Sequence, residues 1–355
     1  MVQDDGLSEF RRWVQLYWRF SMTIGWGVIG LGKHVKRFIV PALKEAENTK
    51  LVAVCSRSME RAQSFAAEHG AARAYDSLTE MLKNPELDVL FVATPNGLHA
   101  ENTLQAAQAG KHVLCEKPMA LTEADCERMI EACDKQKVKL SLDFQNRYHP
   151  AHIMARRLIR AGEVGEIRVA KAQICHGYMG GHWQGWRGDV NMAGAAAIMG
   201  SGQHSLDLLR FLLDREVEEV RALCIPPGDL DDQNFVILSF EGGIYATSIS
   251  GVMAPRSDND TVLYGTKAKV TCKGTLGTVV QGEILIEGDG INIRSSFPVD
   301  NPITGNYVRL IDAFNKTIEE DREPDIPAQN GLQMVRITNA ILESSKQGRA
   351  IKLRK

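Results

Sequence analysis

Residues 23–32, Thr-Ile-Gly-Trp-Gly-Val-Ile-Gly-Leu-Gly, lead into an apolar stripe of Val35, Phe38, Ile39, Ala42, Leu43 and Ala46. Ile24 to Ile29 reads as a short strand, Gly30-Leu31-Gly32 as a tight turn, and the stripe has the spacing of a buried helix face. Pro41 falls inside the stripe, so a kink or a fresh helical segment is expected there. Glycines in such a turn let backbone approach a pyrophosphate, and the helix amino end behind them offers free N–H groups and partial positive charge. Gly30, Leu31, Gly32, Lys33 and His34 are therefore the expected phosphate-holding loop of a dinucleotide site. The third glycine of the full fingerprint is missing, and Val35 stands near its place.

A second strand, Lys50 to Cys55, ends in Ser56-Arg57-Ser58. An acidic residue here would bind a ribose 2′-hydroxyl, whereas arginine flanked by small hydroxyl residues suits a 2′-phosphate. NADP(H) is the expected cofactor, with NAD(H) the alternative. The alternation of strand and helix continues: Val89 to Ala93, a helix over Gly97 to Ala109, His112 to Cys115, a helix from Glu123 to about Lys135, and Lys139 to Phe144. Thr122 with Asp125 resembles a capping pair, and Gly110 closes the preceding helix. Strands this continuously apolar are buried on both faces, as in a doubly wound parallel sheet.

Gly110-Lys111-His112-Val113-Leu114-Cys115-Glu116-Lys117-Pro118 delivers a lysine to a strand tip. Proline pushes the residue before it out of helical geometry, so the Lys117 ammonium is presented where it can reach a ligand.

Taken together, Gly30-Leu31-Gly32, Ala93-Thr94-Pro95-Asn96-Gly97-Leu98-His99, Gly110 to Val113, Glu116-Lys117-Pro118 and Gly162-Glu163-Val164-Gly165-Glu166-Ile167 resemble the glucose-fructose oxidoreductase and inositol dehydrogenase (Gfo/Idh/MocA) family. The likeness runs from about Thr23 to Gly348-Arg349-Ala350-Ile351-Lys352-Leu353. It implies an extension over 1–22, a Rossmann domain over 23–145, an α+β domain with a large open, mainly antiparallel sheet over 146–334, and a carboxyl-terminal helix and tail over 335–355. The stretches Glu166 to His176, Val217 to Cys224, Phe235 to Phe240, Ile244 to Gly251 and runs up to Ser296 agree independently, because they alternate or are rich in β-formers. The resemblance also places Thr94, Pro95, Asn96, His99, Glu116 and Lys117 beside the nicotinamide. It sets His204, in Gly202-Gln203-His204-Ser205, where relatives carry a helical histidine. Imidazole can give or take a proton at neutral pH, so His204 is read as acid/base and Lys117 as the group polarising the same oxygen. Many relatives place an aspartate four residues before that histidine; this chain has Gly200.

Substrate contacts are expected from Gln145, Arg147 and Tyr148, just past the last parallel strand, and from the glycine-rich loop His182-Trp183-Gln184-Gly185-Trp186-Arg187. Tryptophan stacks on the C–H faces of sugar rings while arginine and amides satisfy hydroxyls. The expected reaction is hydride transfer at one carbon of a sugar, keto-sugar or polyol. Two other readings stand beside it: an NAD-dependent glycosidase working through transient oxidation and elimination, and a non-catalytic dinucleotide sensor.

With 355 residues, the chain is long enough for two cores. A formal net charge of -2 and the lack of a basic tract give no sign of nucleic-acid or anionic-membrane binding. The 7 cysteines are scattered without zinc or disulfide spacing, so no metal centre is expected and reduced cytoplasmic thiols are the simpler account. Met1 to Ser21 is partly amphipathic but lacks a signal peptide's apolar core, and its aromatics are expected to meet a second subunit. An open sheet with few helices to cover it suggests a homodimer or homotetramer.

Overall fold

A computed structural model describes residues 23–176, 183–228, 230–297 and 301–353. The amino-terminal extension and His182 lie outside the described residues.

The first half is built on β1 (Ile24–Ile29), α1 (Val40–Glu45), β2 (Thr49–Cys55), α2 (Met59–His69), β3 (Arg73–Tyr75), α3 (Leu78–Leu82), β4 (Val89–Val92), α4 (His99–Gln108), β5 (His112–Cys115), α5 (Glu123–Gln136) and β6 (Leu140–Leu142). The strands form a six-stranded sheet in the order β3-β2-β1-β4-β5-β6, and every pairing in it is parallel. Both sheet faces are covered, and Trp26, Val28, Leu90, Phe91 and Leu114 are fully buried. The strand order reverses between β1 and β4, and in such sheets ligands bind beyond the carboxyl ends at that point.

The expected interruption at Pro41 takes a definite form. Residues Val35–Ile39 make a wide π-turn, the Val40 N–H reaching back to the Val35 carbonyl. The α-helix then starts afresh with Pro41 in its first turn, where a missing N–H costs nothing. Val35, where the fingerprint's third glycine is absent, is buried in this wide turn. Thr122 caps α5 by accepting from the Asp125 N–H at 3.1 Å. Between β2 and β4 the structure adds α2, β3 and α3, which the sequence analysis did not single out. The helix expected from Gly97 begins as a 3₁₀ turn, Asn96–Leu98, before α4.

The second half contains α6 (Pro150–Arg160), β7 (Ile167–Cys175), α7 (Val190–Ala193), α8 (Gln203–Leu213), β8 (Val217–Ile225), β9 (Gln233–Phe240), β10 (Ile244–Gly251), β11 (Thr261–Gly265), β12 (Ala268–Lys273), β13 (Glu283–Gly288), β14 (Ile291–Ser296), α9 (Gly305–Glu319), α10 (Ala328–Gln347) and β15 (Ile351–Lys352). Its nine-stranded sheet has the order β14-β13-β12-β11-β7-β10-β9-β8-β15. Only β7 and β10 pair in parallel; the other pairings are antiparallel.

Helices α6, α8 and α10 cover one face of this sheet. On the other face Val169, Leu223, Phe235, Ile237, Tyr245 and Tyr264 are exposed. They are contiguous: Val169 is in register with Tyr245 and Tyr264, and Leu223 with Phe235.

The last helices return to the first half. Trp26 Nε1 donates to Asn315 Oδ1 of α9 at 3.0 Å, and Arg336 of α10 pairs with Glu123 of α5 at 2.7 Å. These contacts tie the two halves together. Among the described residues, no helix is long and apolar enough to cross a membrane, and all cysteines are free and buried.

Candidate active site

The expected site residues of the first half follow the carboxyl ends of β1, β2, β4, β5 and β6. Gly30 has φ +93, and a β-carbon on it would fall 2.3 Å from the Ala93 carbonyl, so only glycine lets the turns after β1 and β4 meet. Gly32 faces open space, leaving bare backbone at the start of the helical segment. Leu31 is buried, and its carbonyl accepts from Arg61 of α2 at 2.5 Å. Lys33 is exposed and His34 half-buried at the same edge. Ser56 is half-buried and Arg57 exposed, past the end of β2. Ser58 caps α2, its Oγ accepting from the Arg61 N–H at 3.3 Å.

The turn after β4 is tied in place. Asn96 Nδ2 donates to the Ala193 carbonyl at 2.9 Å, so Pro95 and Asn96 are braced by α7 of the second half. Thr94 Oγ1 accepts from Asn102 at 2.8 Å. His99 requires a correction to the expected cofactor contact. It is buried, with Nδ1 2.8 Å from the Pro118 carbonyl and Nε2 2.9 Å from the Thr94 carbonyl. A neutral ring carries one N–H, so His99 donates to one of these carbonyls and packs against the other, between the turns after β4 and β5; burial holds its pKa below the usual histidine value.

Lys117 and His204 come together from the two halves. Lys117 Nζ donates to the Gly200 carbonyl at 2.6 Å, inside the π-turn Ile198–Gly202 that precedes α8. Its pKa is pulled down by burial against the opposing Glu116 and Asp143 charges, with Arg187 adding to the fall. His204 follows on α8, its Nδ1 buried without a partner. Burial, then the Lys117 charge, hold its pKa well below the ordinary value. It is therefore neutral at pH 7 and can accept a proton. A β-carbon at Gly200 would meet nothing within 4 Å, so space is open where an acidic side chain could stand.

Behind Lys117 sits an acidic pair. Glu116 Oε1 lies 2.9 Å from His34 Nε2, and Glu116 Oε2 accepts the Lys117 backbone N–H at 3.1 Å. Among the described residues, His34, Glu116 and Asp143 form the group whose donor atoms, within 4.8 Å of one another, could hold a cation.

The expected substrate residues divide. Gln145 is buried. Arg147 requires a second correction: it is buried and makes a two-pronged ion pair with Asp207, its Nε donating at 2.8 Å, and its Nη2 also reaches Asn330 at 2.9 Å. A guanidinium so engaged is committed to joining α8 and α10 and is not free for a ligand. The Tyr148 hydroxyl lies 3.5 Å from Asp325. Trp183 Nε1 donates to Asp232 at 2.5 Å. Trp186 is half-buried with the Arg187 guanidinium 4.4 Å over its ring. Arg187 is within electrostatic reach of Lys117 and Glu116.

His176, at the end of β7, was missed from sequence. Burial, then the Lys117 charge, depress its pKa, so it stands within electrostatic reach of that lysine. Asp143 was missed as well, although its place one residue past the last parallel strand is where the carboxyl-end rule points.

A dinucleotide loop at the switch point, with an ammonium and a neutral imidazole meeting beyond it, defines a nicotinamide-dependent oxidoreductase. Comparison with known proteins carries this further. Residues 24–144 match a model described as the oxidoreductase family, NAD-binding Rossmann fold, and residues 152–271 match the GFO/IDH/MocA C-terminal domain. The crystal structure of aldose-aldose oxidoreductase from Caulobacter crescentus, complexed with glycerol, is similar at 30% identity and TM-score 0.84, covering 93% of this chain and 100% of that one. The 1,5-anhydro-D-fructose reductase of Ensifer adhaerens is 28% identical over 92% of this chain and 98% of its own length. The D-xylose 1-dehydrogenase (NADP(+)) 2 of Haloferax volcanii is 26% identical over 92% and 99%. The chain belongs to the Gfo/Idh/MocA oxidoreductase family, and it is an NAD(P)-dependent oxidoreductase acting on CH–OH groups.

Proposed function

We propose that this protein is an NADP(H)-dependent oxidoreductase that moves a hydride between the nicotinamide and one carbon of a sugar, keto-sugar or polyol. The observation that carries the reading is the convergence of Lys117, from the first half, on the π-turn of the second half just ahead of His204. The cofactor's part is to accept or donate that hydride.

Gly30 to His34 hold the pyrophosphate, a fit supported by the close approach at Gly30 and the bare backbone at Gly32. Ser56, Arg57 and Ser58 face the adenosine ribose, and the exposed Arg57 guanidinium suits a 2′-phosphate. The relative named for NADP(+) supports that preference. Thr94, Pro95, Asn96 and Glu116 line the nicotinamide side.

In the oxidative direction, Lys117 donates a hydrogen bond to the substrate oxygen and stabilises the negative charge that develops there. The His204 imidazole takes the hydroxyl proton; in reduction it returns it. Trp183, Trp186 and Arg187 stack on and bind the hydroxylated ligand, and the printed names of aldose, anhydrofructose and xylose enzymes among the relatives favour this substrate class. The decisive experiment is a panel of sugars, polyols and keto-sugars followed by absorbance with NADP(H) and NAD(H). Turnover on a member of the panel, faster with NADP(H), is expected. Cleavage of a glycoside without net dinucleotide consumption, or dinucleotide binding with no turnover on any compound, contradicts it.

We further propose that the exposed apolar face of the nine-stranded sheet is covered by a second copy of the chain. Val169, Leu223, Phe235, Ile237, Tyr245 and Tyr264 form a contiguous patch on neighbouring strands, and a self-complementary sheet face suits a two-fold contact. Sedimentation at micromolar concentration is expected to show dimers or tetramers in the wild type and monomers in I237K/Y245E; a monomeric wild type contradicts it.

A further inference from the structure

Glu116 and Asp143 follow the paired strand ends Cys115 and Leu142 by one residue each, so β5 and β6 set the two carboxyl groups side by side. Asp143 is 1% exposed; its carboxyl oxygens meet no side-chain donor, and the Gln145 backbone N–H stands within reach. The groups facing it are few. Glu116 and His34 share the 4.8 Å cluster, Lys117 is in electrostatic reach, and Tyr307, fully buried on α9, has an unpartnered hydroxyl. His34 Nε2 stands 2.9 Å from Glu116 rather than on Asp143, and one donor of the Lys117 ammonium goes to Gly200.

An ionised Asp143 would be a buried charge answered only by a backbone N–H and standing beside a second buried charge, which costs several kcal/mol (order of magnitude). Adding one proton removes both penalties, since an acid O–H donating to a carboxylate is a short, charge-assisted bond.

We propose that Asp143 and Glu116 hold one proton between them, Asp143 as the neutral acid and Glu116 as the carboxylate, and that this pair sets the charge behind Lys117. Asp143 is thus a positioning residue: it orients Glu116, which in turn holds the Lys117 backbone N–H and His34. Burial and the Glu116 charge both push the Asp143 pKa upward, consistent with the shared proton. As pH rises and the pair loses that proton, the added negative charge favours the Lys117 ammonium and keeps it protonated to higher pH. The effect on rate rests on the role given to Lys117 above; the proton itself does not.

The test has a readout that needs no turnover. Infrared spectra of the full chain at neutral pH, wild type against Asp143→Asn, are expected to show a protonated-carboxyl C=O band that the substitution removes. In the kcat profile, Asp143→Asn is expected to move the alkaline limb to lower pH. Asp143→Ala, which removes the acid O–H given to Glu116, is expected to lower kcat about tenfold or more, and Asn to recover most of that loss. No neutral-acid band in wild type, or a band that survives in Asp143→Asn, overturns the proposal whatever the activity. So does stoichiometric binding of Mn²⁺ or Zn²⁺ that is lost in Asp143→Asn, since the cluster is then a cation site. A band that behaves as expected with an unmoved alkaline limb refutes the link to Lys117 while leaving the shared proton standing.

Discussion

Lys117 Nζ donates to the Gly200 carbonyl at 2.6 Å, joining the turn after β5 to the π-turn ahead of α8. The lysine is therefore held by a neutral dipole at a position where a carboxylate has room to stand. Because Gly200 has no positive φ and no neighbour crowding a β-carbon, Gly200→Ala is expected to keep or raise stability, by about 0.5–1 kcal/mol. Gly200→Asp is expected to fold and to raise the Lys117 pKa, moving the alkaline limb of kcat to higher pH. Profiles that coincide for wild type and Gly200→Asp would show that the π-turn does not face the ammonium.

The His204 imidazole is depressed by burial and by Lys117. A base of this kind is active when neutral and is lost as pH falls through its lowered pKa, so the acid limb of oxidation lies well below pH 6.5. His204→Asn is expected to cut kcat by about 10²–10⁴-fold and to abolish that limb. A variant with wild-type rates from acid to neutral pH makes the residue structural.

Arg147 offers a separation of roles. Removing one partner of a buried ion pair leaves the other charge stranded, so Arg147→Ala is expected to destabilise the fold by about 3–5 kcal/mol. Thermal unfolding checks this; full stability with a raised KM would return Arg147 to the substrate site.

Arg57→Asp tests the cofactor. Loss of a charge-assisted contact worth about 1.5–3 kcal/mol is expected to weaken NADP(H) binding by roughly 10–100-fold and shift preference toward NAD(H). An unchanged ratio of kcat/KM for the two dinucleotides means that the phosphate is held by another group.

The sheet of the first half was legible because period and burial agree: β1 and β5 run over the residues that the apolar pattern marks. Pro41 announced its own interruption through its missing donor. What sequence could not show is where polar side chains turn. Arg147 looks like a ligand for hydroxyls until Asp207, far along the chain, takes both of its prongs. His99 belongs to a motif beside the nicotinamide, yet its two nitrogens stand against backbone carbonyls from separate turns. Asp143 was invisible as chemistry because nothing in its neighbours reveals that Glu116 stands beside it. In each case the deciding contact is long-range, and periodicity carries no information about such contacts.

The account depends most on Lys117 acting on charge that appears during hydride transfer. Single-turnover rates and dinucleotide Kd measured together for wild type and Lys117→Ala test it most directly. The expected result is a hydride-transfer rate lower by about 10²-fold or more with cofactor binding nearly intact, since the interaction strengthens only as the oxygen gains charge. Equal losses in rate and in cofactor affinity, or an undiminished rate, would contradict it.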